Sequence, residues 1–138
     1  MIILDTNVLS ELMRRDPAPA VLRWLDLQPS QSVWITTITL FESRLGLALL
    51  PAGKRRDALA QAFDQLLMID LENRVLPFDS EAAAQAVLLA ADRQRSGRPV
   101  DIRDTQIAGI AQARRATLAT RNLRHFEGLS VTVVDPWA

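Results

Sequence analysis

Met1-Ile2-Ile3-Leu4-Asp5-Thr6-Asn7 is the stretch whose reading decides the fold. Ile2 to Leu4 is apolar at every position, the pattern of a short strand covered on both faces. Asp5 closes the run, and a helix is expected to begin just after it and run toward Arg15. A strand of this kind belongs to a parallel sheet with helices on its faces.

The rest of the chain repeats the step. Pro17 and Pro19 break the first helix and start a second, Ala20 to Leu27, which Pro29 ends. Ser32 to Ile35 reads as a second strand. Thr37 to Leu50 reads as a helix, with Ile38, Phe41, Leu45, Ala48 and Leu49 at helical spacing. Pro51 and Gly53 make a turn, and an amphipathic helix follows from Lys54 to Met68. Arg74 to Phe78 is a short extended piece. Asp79 or Ser80 caps a helix through EAAAQAVLLAADRQR, stopped at Gly97 and Pro99. Asp101 is the expected N-cap of a helix ending near Arg115, and Leu118 to Thr120 and Val131 to Val134 are late strands. Strands and helices thus alternate over residues 1–138, which predicts one α/β domain with a mainly parallel sheet and right-handed crossovers. Sites in such sheets form outside the carboxyl ends of the strands, where Asp5 lies.

Composition narrows the chemistry. A chain of 138 residues, 49% of them hydrophobic, can bury a real core as one domain. Formal net charge is zero, so any polyanion must be met by a local basic patch. Lys54 is the only Lys among the basic residues; Arg grips phosphate bidentately and stays charged. There is no Cys, and His125 is the only His, which excludes thiolate and multi-histidine metal sites. The N-terminus lacks the features of a signal peptide, and no apolar stretch approaches the roughly 20 residues of a membrane span. A soluble cytoplasmic protein is expected, with no membrane association.

Three carboxylates stand in apolar surroundings: Asp5 after the first strand, Glu42 within ITLFESRLGLALL, and Asp104 within IRDTQIAGIAQA. At about 100° per residue, Glu42 falls beside Ile38, Leu45 and Leu49, and Asp104 falls with Ile107, Ala108 and Ala111. Each has an ordinary explanation. Asp5 reads equally as an N-cap, Glu42 as the partner of an Arg, and Asp104 as a first-turn acid favoured by the helix dipole. Together they suggest a site. Like charges in apolar surroundings call for neutralisation, and acids gathered around Mg²⁺ or Mn²⁺ point to phosphodiester chemistry. Asn7 is placed to hold Asp5 through its amide.

LDTNVLSEL, ITLFESRLGL, DIRDTQIAGIA, LATRNLRHFEGL and the closing VVDPW resemble the PIN-domain family, specifically the VapC/FitB-type toxins of bacterial type II toxin–antitoxin pairs. The resemblance covers nearly the whole chain. It implies a three-layer fold with a central parallel sheet of four or five short strands flanked by helices. It also implies a Mg²⁺- or Mn²⁺-dependent endoribonuclease, a homodimer, and a small cognate antitoxin that blocks the site. Asp5, Glu42 and Asp104 take the positions of the family's metal-binding and catalytic acids. Many members carry a fourth acid after the fourth strand. Here the stretch Thr120-Arg121-Asn122-Leu123-Arg124-His125-Phe126 offers Asn122 and His125 instead. Asn122 joins the catalytic set as a neutral hydrogen-bonding group, so one well-held ion is expected, and a second only with substrate.

An RNA substrate, single-stranded or looped, is expected to approach through Arg98, Arg103, Arg121 and Arg124. His125, beside Phe126, reads as a packing residue or loop anchor in preference to a catalyst. The helices at 58–68 and 81–91 offer stripes for a partner. Two rival readings exist. An aspartyl phosphatase with Asp5 as nucleophile wants a second Asp where Asn7 stands. A non-catalytic binding module would use the acidic pocket only to neutralise a partner's Arg.

Overall fold

The computed structural model describes residues 1–138. Its elements in chain order are β1 (Ile2–Leu4), α1 (Thr6–Leu12), α2 (Pro19–Asp26), β2 (Val33–Thr36), α3 (Thr37–Ala48), α4 (Lys54–Gln65), β3 (Val75–Leu76), α5 (Ser80–Arg95), α6 (Ile102–Arg114), β4 (Thr117–Ala119) and β5 (Thr132–Val134). The five strands form one sheet in the order β3-β2-β1-β4-β5, parallel throughout. Ile3 stands beside Trp34 of β2 on one side and Leu118 of β4 on the other. Strand order reverses at β1, because the chain builds outward to β2 and β3 first and then crosses to β4 and β5. That reversal opens a crevice at the carboxyl ends of β1 and β4.

Successive strand residues face opposite layers. Ile3 and Leu118 enter a core with Ile107, Ala108, Ile110 and Ala111 of α6 and Ala82 of α5. Leu4 and Ala119 enter a second core with Val8, Leu9, Val21 and Phe63 from α1, α2 and α4. The sheet therefore lies between two helical layers, and this explains why MIIL carries no polar position. No helix is long and apolar enough to cross a membrane.

Three local expectations need correction. The first helix stops at Leu12, short of Arg15; Met13 and Arg14 N–H close it onto Ser10 and Glu11 carbonyls. The helix expected to reach Met68 widens at Leu66 into a π turn, Leu66–Asp70, where Leu71 N–H reaches the Leu66 carbonyl. The wider turn buries both Leu67 and Leu71 and leaves Met68 and Ile69 outside. The stripe expected on α3 is not the buried one. Phe41 and Leu49 are exposed, while Thr39 is buried and Leu40 and Leu47 pack on the core. Apolar residues occur nearly all round this helix, so periodicity alone does not select its inner face.

Candidate active site

Asp5 follows β1 and is 5% exposed. Its backbone is extended, and Oδ1 accepts from the Thr6 N–H at 2.8 Å, so the carboxylate does cap α1. Oδ2 accepts from the Thr120 hydroxyl at 2.8 Å and from Asn7 Nδ2 at 3.2 Å. Burial pushes the Asp5 carboxyl above its usual range; bonds from Thr120, Thr6 and Asn7, and the His125 charge, oppose the rise. Asn7 Nδ2 also donates to Thr120 Oγ1, and Asn7 Oδ1 accepts from the Arg121 N–H, so this amide joins the ends of β1 and β4.

Glu42 is presented by α3, and its side chain is 22% exposed. Oε1 accepts from the Thr6 hydroxyl at 3.1 Å, and Oε2 lies 3.5 Å from Arg103 Nη1. Asp104 stands in the first turn of α6, where the Asp101 side chain caps its N–H at 3.0 Å. Its own carboxylate, with the side chain 20% exposed, meets His125 Nδ1 at 2.8 Å. Burial pushes Asp104 up to about 6, with repulsion from Asp101 and Asp5 adding to the rise and His125 opposing it.

All three acids, with Asn7, Asn122, Arg103, Ser10 and His125, line one cavity of about 400 Å³ that has no hydrophobic residue in its wall. No three His, Asp or Glu side chains are grouped as a ready cage for a metal ion. Glu42 is engaged by Thr6 and Arg103, and Asp104 by His125. Asn122 opens the short turn Leu123–Phe126, and its N–H donates to Thr120 Oγ1. His125 is directed into the cavity and is not part of the core.

The four arginines divide. Arg124 lines a neighbouring cavity of about 330 Å³ with Asp101, Asp104, Thr105 and His125. Arg103 pairs with Glu42 and lies 5.8 Å from the Phe41 ring centre. Arg121 instead lies over Trp137, 4.9 Å from its ring centre, and Arg98 donates to the Glu127 carbonyl. The structure does not bring these last two guanidiniums to the acids.

A family model described as the PIN domain matches residues 2–129. The chain belongs to the PIN-domain family. It is 42% identical over 137 residues to the plasmid stability protein StbB of Pseudomonas syringae pv. tomato, covering 99% of each chain. It is 39% identical over 137 residues to the VapC ribonuclease Y4jK of Sinorhizobium fredii, covering 99% of this chain and 98% of that one. The solved structure of FitAcB from Neisseria gonorrhoeae superposes with a TM-score of 0.90 at 36% identity, covering 99% of both chains. Within the family this PIN domain groups with the VapC/FitB-type toxins.

Sequence reasoning missed Thr120, the hub of this PIN domain's site. It is fully buried, donates to Asp5 and accepts from Asn7 and Asn122. A Thr at the end of a short apolar run carries no periodic signal. Arg93 was also missed. From α5 it donates to the carbonyls of Pro99, His125 and Glu127, which ties down the loop carrying Asn122 and His125.

Proposed function

We propose that this chain is a divalent-metal-dependent endoribonuclease, the toxin of a cytoplasmic toxin–antitoxin pair. The observation that carries the reading is the meeting of Asp5, Glu42 and Asp104, from three separate elements, in one wholly polar cavity at the reversal point of the sheet. The relative named as a VapC ribonuclease supports the same chemistry.

The donor set fits a hard cation. The acids offer only oxygen, and Asp5 and Asp104 repel one another in partly desolvated surroundings. Asp5 and Asp104 would hold Mg²⁺ or Mn²⁺, with Glu42 bound directly or through water. The cation supplies Lewis acidity for phosphodiester hydrolysis and offsets charge developing on the phosphate. Thr120 and Asn7 keep the Asp5 carboxylate oriented. Glu42 is placed to orient the attacking water and accept its proton at a carboxylate oxygen. Asn122 donates its amide to a phosphate oxygen.

The exposed apolar residues Phe41, Val87, Leu88, Met68 and Ile69 leave α3, α5 and the π turn open to partners. We assign these surfaces to a second copy of the chain and to a small antitoxin. The Arg103–Glu42 pair favours one rival, since it shows the acidic cavity accepting a guanidinium.

Cleavage of total RNA tests the reading. Wild type should cut only with Mg²⁺ or Mn²⁺, and Mn²⁺ should raise its Tm. Asp5→Asn and Asp104→Asn should each lose cleavage at least a hundredfold, on the order of 3 kcal/mol in barrier. Wild type that neither cuts RNA nor responds to metal would leave the binding-module reading standing.

A further inference from the structure

The acidic cavity has a larger neighbour. A trough of about 1040 Å³ lies between α1, α3 and α4, and it shares Thr6, Ser10 and Glu42 with the acidic cavity. Those three side chains stand between the two spaces, which makes them neighbours. The trough wall holds Arg14, Arg15 and Arg55 against Asp16 and Glu42, with Met13, Leu47 and Leu59 as its apolar part. Arg14 is engaged by Glu11. Arg15 and Arg55 make no salt bridge, and their guanidiniums donate to no protein acceptor.

An isolated surface Arg needs no explanation. Two unengaged guanidiniums in the wall of a trough that shares Glu42 with the acidic cavity are a different case, because they supply cationic partners beside a centre that repels phosphate. Any polynucleotide cut at the acids must leave the centre on both sides. On the other side, the cavity with Arg124 shares Asp101, Asp104 and His125 with the acidic one. Cationic side chains therefore line the cavities on either side of the acidic one.

We propose that this trough is a subsite for the backbone of a single RNA strand beside the scissile bond, with Arg15 and Arg55 as its phosphate ligands. The assignment rests on the nuclease reading above and deepens it: the substrate is an extended strand, not a mononucleotide ester. Met13, Leu47 and Leu59 meet the sugar and base faces. Guanidinium grips phosphate bidentately without reading sequence, so the subsite adds affinity and not base preference.

The test is binding, measured without turnover. Fluorescence anisotropy of a labelled oligouridylate in EDTA gives affinity and its salt dependence. Arg15→Ala/Arg55→Ala should weaken the oligonucleotide about tenfold and flatten the log–log salt slope by about 1.4, two phosphates at roughly 0.7 each. The dinucleotide UpU, too short to reach the trough, should bind wild type and variant alike. Arg15→Lys/Arg55→Lys should keep the slope. Arg23→Ala/Arg95→Ala removes the same formal charge away from all of these cavities and should stay within about twofold of wild type. Unchanged affinity and slope in the first variant, an equal loss in the control, or no oligonucleotide binding by wild type would overturn the subsite. Wild type that binds through Arg15 and Arg55 but never cuts RNA with metal keeps the subsite and defeats the nuclease reading.

Discussion

Asp104 is a carboxylate whose charged form the fold disfavours. Burial and the neighbouring Asp101 and Asp5 carboxylates raise its pKa from 3.8 to about 6, against the opposing pull of His125. An acid whose folded pKa lies above its unfolded value favours the folded state when protonated. That contribution is complete below 3.8 and is lost as pH rises through about 6. In metal-free protein, Asp104→Asn should therefore raise stability near pH 8 by on the order of 1 kcal/mol and change it little near pH 4. Thermal melts at the two pH values check this, and an equal shift at both would contradict it. Glu11 behaves in the opposite sense. The Ala18 N–H bond and the Arg14 guanidinium hold its carboxyl below the usual range, so its stabilisation is lost only in acid. Neither behaviour is legible in the sequence. Asp104 shares a face with Ile107 and Ala108, but its partner His125 belongs to another segment.

Elements were legible where caps and breakers are local. Asp79 caps α5 through the Ala82 N–H and Asp101 caps α6 through the Asp104 N–H. The prolines before and after α2 bound it as their chemistry requires. Burial was partly legible on α6, where Ile107, Ala108 and Ala111 are buried as their spacing requires but Gly109 and Ile110 between them are buried too, and illegible on α3, which is apolar on several sides. The α5–α6 contact adds a constraint that composition does not reveal. A Cβ at Gly109 would lie 2.7 Å from the Ala82 carbonyl oxygen and 2.8 Å from Ala86 Cβ. Backbone blocks relief, so Gly109→Ala should destabilise by about 1–3 kcal/mol despite the better helix propensity of Ala. Urea denaturation measures it; a neutral or stabilising result would show that the two helices can move apart.

Across the whole molecule, β1 joins the two cores, sending Ile3 to one and Leu4 to the other. Trp34 packs against the first core, and Trp24 and Trp137 against the second. Unfolding should therefore be one cooperative step, with tryptophan fluorescence and far-UV circular dichroism sharing a midpoint. Separated midpoints would mean that the helical layers unfold independently. Local sequence was enough to determine the alternation of strands and helices, the parallel character of a sheet whose first strand is wholly apolar, and which acids sit uneasily in their surroundings. Those are consequences of short-range preference and periodicity. Tertiary structure alone decided that Thr120 bonds Asp5 across 115 residues, that Arg103 turns to Glu42 while Arg121 turns to Trp137, and that Arg15 and Arg55 line one trough with Glu42. Such meetings depend on which strands become neighbours of β1, and no local preference encodes strand order.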